Sequence, residues 1–108
     1  MLTFRSLHRH FPDRDLESFR KRAHGLVDLM RRVFPDTPPD ILNIGGGFFS
    51  NMPQSLWRSR AEPPATFAEY GKAVGSILSK ALEGQTRWPT LFLESGTAIV
   101  ADCQTFYT

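Results

Sequence analysis

The sequence predicts an α/β fold in the order β-α-β-α-β, one unit over residues 1–108. Two observations carry this. Two long stretches have apolar residues recurring every three to four positions, and three short apolar runs lie before, between and after them. Crossovers of helical length pair such strands in parallel, with right-handed connections.

Each element has its own signal. Leu2-Thr3-Phe4-Arg5-Ser6-Leu7 alternates apolar and polar residues, as a short strand does. Pro12-Asp13 punctuates it, and Asp13 or Asp15 can cap a following helix. Leu16, Phe19, Ala23, Leu26, Val27, Met30, Val33 and Phe34 then form one apolar stripe. Pro35, Pro38 and Pro39 end it, because proline lacks the backbone donor. Ile41-Leu42-Asn43-Ile44, closed by three glycines, reads as a buried strand. Residues 48–65 read as a long loop with one helical turn near 54–58. Thr66-Phe67-Ala68-Glu69 is a capping box opening a second helix. Its stripe is Phe67, Tyr70, Val74, Ile77, Leu78 and Ala81, with Gly84 suited to the C-terminal cap. Thr90-Leu91-Phe92-Leu93 is the third strand, followed by a tail.

Composition narrows the class. At 41% hydrophobic and 22% charged, the chain is neither disordered nor collagen-like nor a disulfide scaffold. Cys103 is the only cysteine, which implies a reducing, cytoplasmic setting. No run approaches the roughly 18 apolar residues of a membrane span. The first ten residues also lack the apolar core of a secretory signal. Residues 1–34 hold eight basic and four acidic side chains, and residues 35–108 hold five and seven. Arg20, Lys21, Arg22, Arg31 and Arg32 fall on the polar side of the first stripe, a solvated face rather than a nucleic-acid surface. Three parallel strands leave two open edges, so the unit is expected to belong to something larger and, alone, to be marginally stable or self-associating.

Function in parallel α/β folds gathers at the carboxyl edge of the sheet. One unusual group follows each strand: His8-Arg9-His10, Gly45-Gly46-Gly47 and Glu94-Ser95-Gly96-Thr97. Three glycines let backbone N–H groups approach an anion; a tight turn is the plainer alternative. No Lys-Ser or Lys-Thr follows them, which excludes a Walker A loop. His8 and His10 in one strand would point to opposite faces, so a shared metal is not expected. Glu94, directly after an apolar strand, either holds a protonated partner at a pocket rim or stands in water.

Together, Leu7-His8-x-His10-Phe11, Leu42-Asn43-Ile44-Gly45-Gly46-Gly47-Phe48 and Leu93-Glu94-Ser95-Gly96-Thr97-Ala98-Ile99-Val100 resemble the pyridoxal-phosphate-dependent amino-acid decarboxylases of the alanine-racemase fold. That group acts on ornithine, arginine, diaminopimelate and related amino acids. The resemblance implies a partial (β/α) TIM-type barrel leading toward a β domain, with the chain as a fragment of it. It implies that His10 stacks on the pyridine ring of pyridoxal 5'-phosphate. Gly45, Gly46 and Gly47, with Gly96 and Thr97, would bind phosphate, and Glu94 would keep the ring nitrogen protonated.

The departures from the family pattern matter as much. Pro12-Asp13 stands where a Gly-Ser helps hold phosphate, and Thr97 stands where an arginine pairs with it. A hydroxyl donates one bond without charge, and charge-assisted bonds are roughly twice as strong. The family's Schiff-base lysine lies on an earlier strand, and Lys21, Lys72 and Lys80 match no such motif. Its substrate-binding residues lie in the later β domain. Cys103 is expected to be a buried, inert thiol rather than one of these. No residue here is therefore expected to be catalytic, and the chain alone is not expected to decarboxylate. The resemblance implies an amino-acid substrate and a homodimer for the full-length enzyme. The rivals are a non-catalytic remnant and an unrelated phosphate-binding α/β interaction module.

Overall fold

The computed structural model describes residues 3–58 and 63–100. Leu2, Cys103 and the rest of the tail beyond residue 100 lie outside the described residues. The order is β1 (Ser6–His8), α1 (Leu16–Val33), β2 (Ile41–Gly46), α2 (Gln54–Trp57), α3 (Phe67–Ala81), β3 (Thr90–Glu94) and α4 (Gly96–Val100). The three strands form one parallel sheet in the order β1-β2-β3. The chain is thus a mixed α/β unit whose strand order follows the sequence.

β1 is shorter than its alternating pattern predicts. The Arg5 carbonyl accepts from Asp40 N and Ile41 N, where β2 begins. Pro38 and Pro39 precede that point and carry no N–H, so Thr3 and Phe4 have no ladder to join. Phe4 is left exposed. At the other end, residues 96–100 form the short helix α4 where the pattern indicated only a tail.

Both long helices begin as the sequence predicts. Asp15 caps α1, accepting from Ser18 N at 2.9 Å and from the Ser18 hydroxyl at 2.7 Å. Those two bonds, the hydroxyl's first, hold the Asp15 carboxyl below the usual range. Thr66 and Glu69 complete the capping box of α3 in both directions.

The core lies on one face of the sheet. Leu7, Leu42 and Ile44 meet Phe19, Ala23, Leu26, Val27 and Met30 from α1, and Tyr70, Val74 and Leu78 from α3. The two helices pack against each other there. Phe19, Phe48 and Tyr70 form an aromatic cluster with ring centroids 4.6 to 5.3 Å apart. The apolar character of β3 does not bring burial: every residue of that strand is exposed.

Arg22 is the clearest correction to the sequence reading. It does not lie on the solvated face of α1 but is completely buried. Its guanidinium donates to the carbonyls of Gly46 (2.6 Å), Phe11 (2.7 Å), Asp13 and Ile44, and sits 4.1 Å from the Phe19 ring centroid. Desolvation pulls its pKa below the usual arginine value, and four carbonyl dipoles offset that loss of water. The residue is cationic by type, but those four carbonyls converge only after β1, β2 and α1 are assembled.

Candidate functional site

The site begins with a bulge. Asn43 pairs with Phe92 and Gly46 with Glu94, so β2 spends one residue more than β3 over the same span. Gly45 absorbs the bend at φ +76°, and Gly47 follows at φ +89°. Steric demand is equally plain. A Cβ on Gly45 would stand 2.8 Å from the His10 ring, and one on Gly46 would stand 2.7 Å from the Glu94 carbonyl oxygen. These glycines let the ends of β1, β2 and β3 approach one another.

That approach closes a hydrogen-bonded frame. Gly46 N donates to His10 Nδ1 at 3.0 Å, which orients the imidazole. Gly45 N donates to Asn43 Oδ1 at 2.8 Å, and Asn43 Nδ2 donates to Glu94 Oε1 at 2.8 Å. Asn43 therefore ties the glycine turn to the carboxylate. His8 Nε2 lies 3.5 Å from the same Oε1. Both contacts fall on Oε1, so among the described residues Glu94 Oε2 has no donor.

His10, Gly46, Gly47, Glu94, Gly96 and Thr97 line one open cleft of about 540 Å³, together with Pro12 and Arg14. The structure thus brings together six of the seven residues singled out in the sequence. Gly45 does not line the cleft; it sits behind it, against His10. Glu94 is half exposed, as a carboxylate at a rim is. β1 stops at His8, so strand alternation does not extend to His10. The two imidazoles make separate contacts, His8 with Glu94 and His10 with the glycine turn. Among the described residues no group of three or more His, Cys, Asp or Glu converges on a metal position.

Sequence reasoning missed three contributors. Asn43 was part of a motif without a role, Arg22 was placed in water, and Arg14 was not singled out. Arg22 holds the Gly46 carbonyl and, through Phe11 and Asp13, the loop that carries His10 and Arg14. The Arg14 carbonyl accepts from the Tyr70 hydroxyl, which anchors that loop to α3. Only long-range contacts create these roles, and no local pattern signals them.

No family model, curated protein or solved structure matches this chain. No helix among the described residues is long and apolar enough to cross a membrane.

Proposed function

We propose that this chain supplies one wall of the cofactor pocket of a pyridoxal-phosphate-dependent amino-acid decarboxylase, as an arc of a (β/α) barrel in a cytoplasmic enzyme. The observation that carries the reading is the single cleft. His10, Gly46, Gly47, Glu94, Gly96 and Thr97 come from three separate strand ends and border the same 540 Å³ space. Strand order β1-β2-β3 with α1 and α3 packed together on one face supports a singly wound arc.

The side chains suit the cofactor. Glu94 Oε2 has no donor among the described residues and can accept from a protonated ring nitrogen, while Asn43 and His8 hold Oε1. His10, oriented by the Gly46 N–H, can offer an imidazole face to a flat ring. Gly46, Gly47 and Gly96 keep side chains out of the space a phosphate needs, and the Thr97 hydroxyl can donate to it. When bound, the cofactor supplies an electron-withdrawing pyridinium ring that stabilises the carbanion left when carbon dioxide departs. The role of Glu94 is to keep the proton on that ring nitrogen. In this reading the Schiff-base lysine comes from an earlier strand of the barrel, and the amino-acid substrate contacts and homodimer interface involve other parts of the enzyme.

Titration of the full chain with pyridoxal 5'-phosphate labelled with ¹⁵N in the ring tests this. Binding is expected to be noncovalent, with the ring nitrogen protonated. Glu94→Gln keeps the size and removes the charge, so the bound ring should lose its proton; Glu83→Gln, on an exposed turn after α3, should change nothing. Identical nitrogen shifts in both variants would refute the assignment. The rival reading, a non-catalytic interaction module, draws on the exposed apolar strand β3 and predicts no cofactor binding.

A further inference from the structure

We propose that Arg14 is the charged partner of the phosphate in this cleft, a role no sequence motif assigns to it; the inference rests on the cofactor reading above. Two of the three N–H groups of the glycine turn are already engaged within the protein. Gly45 N–H is engaged by Asn43 Oδ1 and Gly46 N–H by His10 Nδ1. Thr97 adds a hydroxyl and no charge. A dianion taken from water into such a space needs a cation.

Arg14 is the arginine that lines the cleft, beside Gly47 and Thr97. Its Cγ lies 3.6 Å from where a Cβ on Gly47 would stand, an ordinary van der Waals distance that places the arginine stem directly beside the glycine turn. The guanidinium carbon sits 5.2 Å from the Phe49 ring centroid, a support that orients the group without neutralising it. Among the described residues no carboxylate lies within 4.0 Å of it. Its backbone is fixed on both sides. Tyr70 holds the Arg14 carbonyl, and Arg22 holds the Asp13 carbonyl together with Gly46.

Glu94 lines the same cleft yet does not pair with Arg14. An unpaired cation and a carboxylate with one free oxygen, held apart in one space, suit a ligand anionic at one end and carrying an N–H at the other. The phosphate and the protonated ring nitrogen of pyridoxal 5'-phosphate are such ends. Arginine's planar fork also matches phosphate oxygens in pairs, which lysine cannot do.

Calorimetric titration of the full chain with inorganic phosphate, pyridoxal 5'-phosphate and pyridoxal decides the matter. Arg14→Met should weaken both phosphate-bearing ligands by about tenfold or more and leave pyridoxal unchanged. Arg14→Lys, which keeps a point charge, should recover part of the loss. Arg20→Met removes a cation paired with Glu17 on the outside of α1 and should change nothing. Phosphate affinity unchanged in Arg14→Met, or no phosphate binding by the parent chain, overturns the inference. Phosphate binding that depends on Arg14, with pyridoxal phosphate no tighter than phosphate itself, keeps the anion site and removes the cofactor reading. Arg14→Lys also guards against misfolding: if only the methionine variant unfolds, a reduced but measurable phosphate affinity in the lysine variant supports the contact and parental affinity counts against it.

Discussion

Leu42 in β2 and Leu91 in β3 are register partners within similar apolar runs, yet Leu42 is 1% exposed and Leu91 39%. Phe92 and Leu93 beside it are 47% and 53% exposed. The difference comes from the helices. α1 packs over β1 and β2 and against α3, and an apolar groove of about 240 Å³ remains between α3 and β3. Phe48, Phe67, Gly71, Gly75, Leu91 and Leu93 line it. An apolar strand therefore signals where a sheet continues, but burial depends on whether another element lies over it. The two flanks should respond differently to every perturbation.

The largest difference is expected from truncating one leucine on each strand. Leu42→Ala should cost about 3 kcal/mol, through lost burial and the cavity left behind. Leu93→Ala should cost under about 0.5 kcal/mol, because half of that side chain is already in water. Urea unfolding measures both. A large cost at Leu93 that grows with protein concentration would mean that β3 is covered by a second copy in solution.

Arg22 tests whether the packed flank also builds the cleft. Arg22→Met keeps the apolar stem but abandons four carbonyls, and should cost about 2 kcal/mol. Arg22→Lys should not restore it, since an ammonium cannot span carbonyls from both β2 and the loop before α1. If Arg22→Met unfolds at the parent's urea midpoint, those bonds are replaced by water and the knot is not structural.

The smallest effect belongs to the amino edge, where the two flanks are tied together. Asp40 pairs with Arg87, before β3, and with Arg5, before β1, at 2.6 Å for the latter. Both contacts, Arg87 first, hold its carboxyl below the usual range. A carboxyl lowered by folding stabilises the protein above its unfolded pKa, and that contribution is lost as pH falls through the folded value. Asp40→Asn should therefore unfold slightly earlier than the parent at neutral pH, and the two should converge in acid. The carboxylate is within reach of solvent, at 29% exposure, so its contribution to stability should be small and should shrink further in high salt. A gap that stays constant down to strong acid would show that the pairing carries no weight.

Much of this molecule was legible because its signals are local. Asp15 and Thr66 satisfy the first N–H groups of their own helices, and the stripes of α1 and α3 need only the helical period. The gathering of His10, the glycines and Glu94 at one edge follows from parallel pairing alone. The ends of the pattern misled where a neighbour was missing: Phe4 continues the alternation of β1 but has no partner on β2, and Val33 and Phe67 lie at stripe ends that extend past the core.

From the sequence by itself come the fold class, the helix starts, and which strand ends meet. Each depends on residues a few positions apart, or on the rule that helical crossovers make parallel neighbours. Tertiary structure alone decided that Arg22 is buried, that Asn43 couples the glycine turn to Glu94, that Arg14 enters the cleft, and that β3 stays bare. Each of these depends on groups 9 to 56 positions apart meeting in space, or on a covering surface that does not arrive. A side chain's own chemistry states what it can bond; only the assembled backbone determines which partner is within reach.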